Sequence, residues 1–335
     1  MQPRPPAVLA LAPWARDGAF PPDVMGRLTR LVNVHPGPSI TSFEQPDAGE
    51  ALGRAEILIS GWGCPRIDAS VLDRAPKLRA CIHAAGTVKK HLDPVVFERG
   101  ITVSSAAAAN AVPVAEYTLA ALILGAKQTF ARARVYADNP AQFAAAARAD
   151  TGLMGCTVGV VGASRIGRLV LDRLRTFDVT ALVHDPYLSP RDARRLGADL
   201  VDLDALCRRS DLVTVHAPAL PETRHLIDGH RLGLLRDGAV LINTARGVLV
   251  DTDALTRHCK DGRISAVLDV TDPEPLPTDH PLLRMHNVFV TPHIAGAQGR
   301  ELRRLGEFAT AEVGRLLRGE PLLGAVQVHQ LTVGA

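Results

Sequence analysis

Short apolar runs rich in β-branched residues alternate along the chain with segments of helical periodicity, the pattern expected of parallel α/β sheets. In the first third, AVLALA (7–12), RLVNV (30–34), AEILIS (55–60), LRACIH (78–83) and ITVSS (101–105) predict strands. Between them, PPDVMGRLTR opens with proline suited to a first helical turn, and DASVLDRA carries Asp68 as a cap. A second series begins near residue 156: CTVGVV (156–161), VTALVH (179–184), DLVTVH (211–216), AVLINT (239–244), ISAVLDV (264–270) and NVFVTP (287–292). Between the two series, PVAEYTLAALILGAKQTFARARV (113–135) predicts a long buried helix opened by Pro113. The alanine-rich AQFAAAARAD (141–150) follows and reads as a helix or an interdomain cover. The stretch 299–320 is amphipathic and ends near Gly319 and Pro321. No clean internal repeat emerges, although both halves share the strand–helix rhythm.

A length of 335 residues favours two domains at about 150 residues each. With 47% hydrophobic and 22% charged residues, the chain can bury sizeable cores and is not of disordered composition. Basic and acidic residues nearly cancel, 38 against 35. A nucleic-acid binder would carry a basic excess or a basic run, so no nucleic-acid partner is expected. Only Lys77, Lys89, Lys90, Lys127 and Lys260 are lysine and the other basic residues are arginine, which reads as compositional bias. The five cysteines are scattered without a C-x-x-C pair, against a disulfide scaffold or structural zinc and in favour of a reducing cytoplasm. The apolar run Ala7–Leu11 is too short for a signal-peptide core and reads as a first strand. No stretch is read as approaching the roughly 18 apolar residues of a membrane span. A cytoplasmic enzyme or binding protein is the expectation, with no metal.

Candidate chemistry begins at TVGVVGASRIGR (157–168), where a strand runs into a glycine-bearing turn and then a helix. A dinucleotide fingerprint needs a tight turn, close backbone approach to pyrophosphate and close helix–strand packing. Gly162 and Gly167 fill the first and third glycine positions, and Ser164 stands at the second. The next strand ends in Asp185, 21 residues beyond Ser164, where a carboxylate would accept hydrogen bonds from the adenosine ribose. A carboxylate there repels a 2′-phosphate, so NAD is expected over NADP.

Four blocks then follow in fixed order: VGASRIG with HDPY, SDLVTVHAPALPETRHLI, AVLINTARGVLVDTDAL, and SAVLDVTDPEPLPTDHPLLRMHNVFVTPHIAGA. In these blocks the chain resembles the D-isomer-specific 2-hydroxyacid dehydrogenase family. The resemblance implies two Rossmann- or flavodoxin-like α/β domains with parallel sheets and the active site in the interdomain cleft. The substrate domain would be discontinuous, 1–110 and 299–335, with an NAD-binding domain at 111–298. It also implies a homodimer, with the 113–150 region as the expected contact; because the chain stops near residue 335, no separate C-terminal regulatory domain is expected.

Carried over residue by residue, the resemblance places a catalytic arginine at Arg246, an acid at Glu274 and a histidine at His293. Reducing a 2-keto acid needs a hydride at the keto carbon and a proton for the oxygen. A histidine can deliver that proton near neutral pH, a neighbouring carboxylate favours and orients its imidazolium, and a guanidinium can bind the substrate carboxylate and polarise the carbonyl. Singly, each has a plain alternative: a turn histidine, a glutamate in a proline-rich surface loop, one arginine among many. Together, in order and at strand ends, they read as a site. Glutamate at 274 argues against the formate dehydrogenase branch, where the resemblance implies glutamine, and Asp272 reads as a loop acid.

Implied cofactor contacts are Gly162, Ser164, Arg165, Ile166, Gly167, Asp185, Ala217, Pro218, Thr244, Asp269, Thr87, His293 and Ala295; for Asp269, capping a loop is the alternative. Implied substrate contacts are Ala85, Gly86, Arg246 and Trp62. The substrate loop IHAAGTVKKHLD departs from the family pattern, with Val88 and Lys89–Lys90 replacing a glycine and an acid. Lys89 is read as solvated or as meeting an extra anionic group. Trp62 reads either as packed under its loop or as favouring an apolar substrate tail. Asn110 matches a family position at the domain crossing, and Glu116 reads as structural. The expected activity is interconversion of a D-2-hydroxy acid and a 2-keto acid, with a glyoxylate, hydroxypyruvate or phosphoglycerate-type reaction as one alternative and an NAD(H)-sensing, corepressor-like binding protein as another.

Overall fold

The computed structural model describes residues 3–142 and 151–333, so residues 143–150 of the alanine-rich segment lie outside the described residues. The chain divides into two compact units, Met1–Ala111 with Ala297–Ala335, and Val112–Gly296. Each is built on one parallel sheet.

In the first unit, β1 (Pro6–Ala10), β2 (Asn33–Val34), β3 (Ile57–Ser60), β4 (Ala80–His83) and β5 (Thr102–Ser105) pair in the order β2-β1-β3-β4-β5. Every residue of β3 and β4 is buried, because helices and loops cover both faces of the sheet. That double burial is why these strands read as continuous apolar runs and not as alternating ones. On one face, Leu9, Ile57, Ile59 and Ile82 pack with Ala309 and Val313 of the helix Leu302–Leu317. The run RLVNV behaves differently from its expectation as a strand. The helix Pro22–Leu31 extends through Arg30 and Leu31 and leaves only Asn33–Val34 as β2. Val24, Leu28 and Leu31 recur at i, i+4 and i+7, and this helical stripe wins over the short apolar run.

The second unit contains β6 (Thr157–Val161), β7 (Thr180–His184), β8 (Asp199–Leu200), β9 (Leu212–Val215), β10 (Val240–Asn243), β11 (Ser265–Leu268) and β12 (Val288–Val290). Their order is β12-β11-β10-β9-β6-β7-β8. The chain proceeds outward from β6 to β8, then returns to start β9 on the other side of β6. Loops leave the carboxyl ends of β6 and β9 in opposite directions, which opens a crevice for ligands in sheets of this kind. The two-residue β8 was not anticipated.

The long helix also differs from expectation. It starts at Ala107, six residues before Pro113, and ends at Ala126. AAAAN is good helix-forming sequence, and the Ser105 hydroxyl accepts from the Ala107 amide at 3.4 Å. Pro113 therefore sits inside the helix, giving up the one amide bond that residue 113 would donate to Ala109. Gln128 then turns left-handed (φ 52°), and a second helix, Thr129–Asp138, follows with none of its residues buried. Ala107–Ala126 is long and apolar enough, by length and composition, to cross a membrane, which the expectation of no such stretch missed. In this structure it packs Ala115, Ala121, Leu122 and Ala126 into the core beneath β6 and β10.

Two buried histidines stand at strand ends, His83 as the last residue of β4 and His216 directly after β9. His83 pairs its Nδ1 with the Ser60 hydroxyl at 2.9 Å, and His216 pairs its Nε2 with that of Thr214 at 2.9 Å. Burial pushes both imidazoles down to about 3. Below pH 6.5 the unfolded chain therefore binds protons that the folded chain refuses. Stability is full above that pH and falls as pH drops toward 3, at roughly 1.4 kcal/mol per pH unit per histidine. The urea midpoint should decline from pH 7 to pH 5, and His216→Asn should flatten that decline. A midpoint that is level over this range in the unaltered protein would contradict the burial of both rings.

Candidate active site

The dinucleotide turn follows β6. Gly162 adopts φ 97°, and a Cβ there would lie 2.6 Å from the Ala217 amide nitrogen at the end of β9. A Cβ on Gly167 would in turn overlap the Gly162 carbonyl oxygen, so the helix Arg165–Leu174 can approach the strand only with glycine at that position. Ser164 does not require a glycine: its backbone is extended (φ −64°, ψ 179°), and its hydroxyl caps the helix by accepting from the Gly167 amide at 3.4 Å. Arg165 is exposed at the first helical position and Ile166 is half-buried.

Asp185 directly follows β7 and bonds to this turn. One carboxylate oxygen accepts from the Ala163 amide at 2.7 Å and the other from the Tyr187 amide at 2.9 Å. These bonds aim the carboxylate while leaving lone pairs for the hydroxyls of a ribose. Ala217 is buried and Pro218 half-buried beside the turn, while Thr244, buried after β10, shares a 2.8 Å hydrogen bond with Thr118. Tight turn, close approach and aimed carboxylate together fit an NAD pyrophosphate and its adenosine ribose.

The second half of the site is built from the ends of β10, β11 and β12. Asn243 stitches the turn that carries Arg246, accepting from the Ala245 amide at 3.0 Å and donating to the Arg246 carbonyl at 2.9 Å. The Arg246 guanidinium is mostly buried and donates to the Ala245 carbonyl at 2.6 Å. Burial pulls its pKa down and the Glu274 carboxylate opposes that pull, so the cation is retained. Gly247 lets this turn lie against the loop after β11: a Cβ there would overlap the Thr271 carbonyl.

Asp269, buried at the end of that region, organises the histidine loop. Its carboxylate accepts from the Thr291 hydroxyl at 2.6 Å, the Ile294 amide at 2.8 Å and the Ala295 amide at 2.9 Å. The buried Asp269 is thus engaged by the chain itself in the loop-capping manner. His293 takes a left-handed conformation (φ 55°) within the loop. Its Nδ1 lies 2.6 Å from Glu274 Oε1, with the two side chains 49% and 41% exposed. A carboxylate can only accept, so Nδ1 carries the hydrogen of this bond and the ring's Nε2 takes no part in it.

Several contributors escaped the sequence reading. Tyr117 donates to Thr291 at 2.8 Å, extending the chain of hydroxyls that ends on Asp269, and burial raises the Tyr117 pKa. Thr118, Asn243 and Gly247 were likewise missed. No local signal marks a threonine or tyrosine whose partner lies more than a hundred residues away.

The remaining sequence-predicted contacts belong to the first unit. Ala85 is buried in the loop after β4, where Gly86 and Thr87 are half-buried. A Cβ on Gly86 would come within 3.3 Å of the Asn110 amide nitrogen, and Asn110 accepts from the Ala297 amide at 2.9 Å. Thr87 accepts from the Lys89 amide at 3.3 Å. Trp62 is half-buried after β3. Glu116, exposed on the long helix, pairs with Arg173 at 3.8 Å. Among the described residues, no three His, Cys, Asp or Glu side chains are grouped to hold a metal.

Comparison with known proteins decides the family. The sequence profile described as D-isomer specific 2-hydroxyacid dehydrogenase, NAD binding domain, matches residues 120–295. The chain belongs to the D-isomer specific 2-hydroxyacid dehydrogenase family. A D-3-phosphoglycerate dehydrogenase of Methanocaldococcus jannaschii is 33% identical over 84% of this chain and 53% of its own length. A glyoxylate reductase of Thermofilum pendens is 37% identical over 76% of each chain. The crystal structure of the TT0316 protein from Thermus thermophilus superposes with a TM-score of 0.73 at 32% identity, covering 96% of this chain and 99% of that one. The chain spans about half the length of the phosphoglycerate dehydrogenases it matches.

The turn described above lies within residues 120–295, which the profile of the family's NAD-binding domain matches. Because Gly162 has neither the conformational nor the steric room for a Cβ, Gly162→Ala should weaken NADH binding at least about tenfold by calorimetry, with unchanged far-ultraviolet circular dichroism. Unaltered affinity would show that the turn tolerates displacement away from Ala217.

Proposed function

We propose that this chain interconverts a D-2-hydroxy acid and a 2-keto acid with NAD(H), using His293 as acid and base. The observation that carries this reading is the 2.6 Å bond between His293 and Glu274 in the same unit as the NAD turn, with Arg246 in the electrostatic reach of Glu274. Bound NADH would supply the hydride. Arg246 would hold the substrate carboxylate and polarise the keto oxygen through its guanidinium. His293 would give the proton on Nε2 to that oxygen as negative charge develops there. Glu274 would keep the ring oriented and stabilise the imidazolium, and in the reverse direction it would stabilise the proton that His293 takes from the alcohol.

Cofactor contacts in this reading are Gly162, Ser164, Arg165, Ile166, Gly167, Asp185, Ala217, Pro218, Thr244, His293, Ala295 and Thr87. Asp269 serves mainly by holding the His293 loop. The substrate carboxylate would also meet the backbone amides of Ala85 and Gly86, with Trp62 beside them. Glyoxylate, hydroxypyruvate and phosphoglycerate-type acids belong in the first substrate panel, since relatives are named for two of these. We place the protein in the cytoplasm as a homodimer. The helix Thr129–Asp138 supports a dimer, since it buries none of its residues and presents Tyr136 at 54% exposure. A monomeric mass by light scattering would remove that part of the proposal.

NADH oxidation should be observed with at least one 2-keto acid of such a panel. His293→Ala should reduce kcat roughly a thousandfold, within the range for loss of a general acid, while leaving NADH affinity unchanged by calorimetry. Tight NADH binding without turnover on any acid would point instead to a dinucleotide-sensing role. Undiminished turnover in His293→Ala would remove the histidine from the mechanism.

A further inference from the structure

Two consecutive hydroxyls on the long helix Ala107–Ala126 bond to the turns that carry Arg246 and His293. Tyr117 meets the Thr291 hydroxyl at 2.8 Å, and Thr118 meets that of Thr244 at 2.8 Å. Thr244 directly follows β10 and stands two residues before Arg246. Thr291 directly follows β12 and stands two residues before His293. Between these strands lies β11, with Asp269 directly after it. All of these residues belong to the second unit.

The hydroxyl hydrogens can be placed, because each hydroxyl carries one. Thr291 gives its own to Asp269 at 2.6 Å, so Tyr117 donates to Thr291. Thr118 gives its own to the Val114 carbonyl at 2.8 Å, one turn back in the helix, so Thr244 donates to Thr118. Consecutive helical residues point about 100° apart, so two bonds from neighbouring positions fix the helix in rotation as well as along its axis. The strand ends they reach are two strand spacings apart, about 10 Å, and the Tyr117 ring supplies a reach that a second threonine lacks. Thr118 and Thr244 are buried, and Tyr117 and Thr291 half-buried. Apolar side chains at 117 and 118 would bury at lower cost. What the hydroxyls add is direction.

We propose that Tyr117 and Thr118 are positioning residues, which together hold the turns carrying His293 and Arg246 at the spacing that one substrate requires. This rests on the oxidoreductase reading above. Each acts on a different group. Tyr117 keeps the Thr291 hydroxyl turned onto Asp269, whose carboxylate also takes the amides of Ile294 and Ala295. Without the Tyr117 hydroxyl, Thr291 is free to turn away, and the loop bearing the proton donor loosens. Thr118 holds Thr244 at the base of the turn in which Asn243 binds the Ala245 amide and the Arg246 carbonyl. Its loss loosens the cation that takes the substrate carboxylate. A misplacement of about 1 Å at a reacting group is enough to cost up to about a hundredfold in rate. The two defects differ in kind, the first reaching proton transfer and the second substrate binding.

Tyr117→Phe removes one hydroxyl and keeps the ring; Thr118→Val removes the other and keeps the branched shape, and Thr118→Ser restores the bond. With NADH and the 2-keto acid that the unaltered protein reduces best, Tyr117→Phe should lower kcat at least about fivefold, the scale of one hydrogen bond, with KM little changed. Thr118→Val should raise KM for the keto acid by at least about the same factor, and Thr118→Ser should restore it. A second measurement needs no turnover. In protein carrying isotope-labelled histidine and no cofactor, the ring resonances of His293, identified by their loss in His293→Ala, should shift in Tyr117→Phe. Those of buried His83, in the other unit, should stay in place. If no 2-keto acid is reduced, the oxidoreductase reading fails by itself, and the His293 resonances still decide the positioning. The proposal is overturned by His293 resonances unmoved in Tyr117→Phe, by an unchanged kcat in that variant, or by kcat and KM effects that are alike in both variants and follow their loss of melting temperature.

Discussion

The candidate site depends on one buried carboxylate. Asp269 is removed from water at the end of β11, and an isolated carboxylate there would be prohibitively costly. It is stabilised by drawing three donors to itself: the hydroxyl of Thr291 and the amides of Ile294 and Ala295. Satisfying them bends the segment after β12 into a tight loop, and His293 at its apex is forced into left-handed backbone geometry. The same residue's carbonyl accepts from the His293 amide at 2.9 Å, so both ends of Asp269 grip the loop. The orientation of the imidazole toward Glu274 is thus a consequence of charge burial several residues away.

The other half of the site obeys a steric constraint. Backbone must meet backbone at two places, Gly162 against Ala217 and Gly247 against the Thr271 carbonyl, and glycine is what permits it. The first contact brings the ends of β6 and β9 together at the point where the sheet changes direction. The second brings the Arg246 turn against the segment leading to Glu274. Sheet order and two missing Cβ atoms set the positions of the cofactor turn and of the cation.

Strands were legible because double-sided burial writes them as unbroken apolar runs. They were misread only where another signal overlapped, as at Leu31, which belongs equally to a helical stripe. Pro113 misled because proline marks helix starts statistically, while the alanines before it carry enough propensity to begin the helix earlier. Asp185, Arg246, Glu274 and His293 could be singled out because their order and strand-end placement coincide with a known pattern of blocks. Their supports could not. The hydrogen bonds of Tyr117 to Thr291 and Thr118 to Thr244 join residues 174 and 126 positions apart, and hydroxyl side chains are too common to stand out before the fold brings them together. Ser164 shows the opposite case: it departs from the glycine pattern, yet an extended backbone and a helix-capping hydroxyl make serine a suitable occupant.

The exposure of the catalytic candidates has its own physical meaning. Arg246 is largely desolvated, whereas His293 and Glu274 are each nearly half exposed. In water the attraction between a carboxylate and an imidazolium is screened, so their bond orients the ring more than it stabilises charge. Cofactor and substrate seated against these groups would displace that water, and the same short contact would then act in a medium of lower dielectric. The buried Asp269, by contrast, holds the loop that carries His293 through bonds that lie away from water.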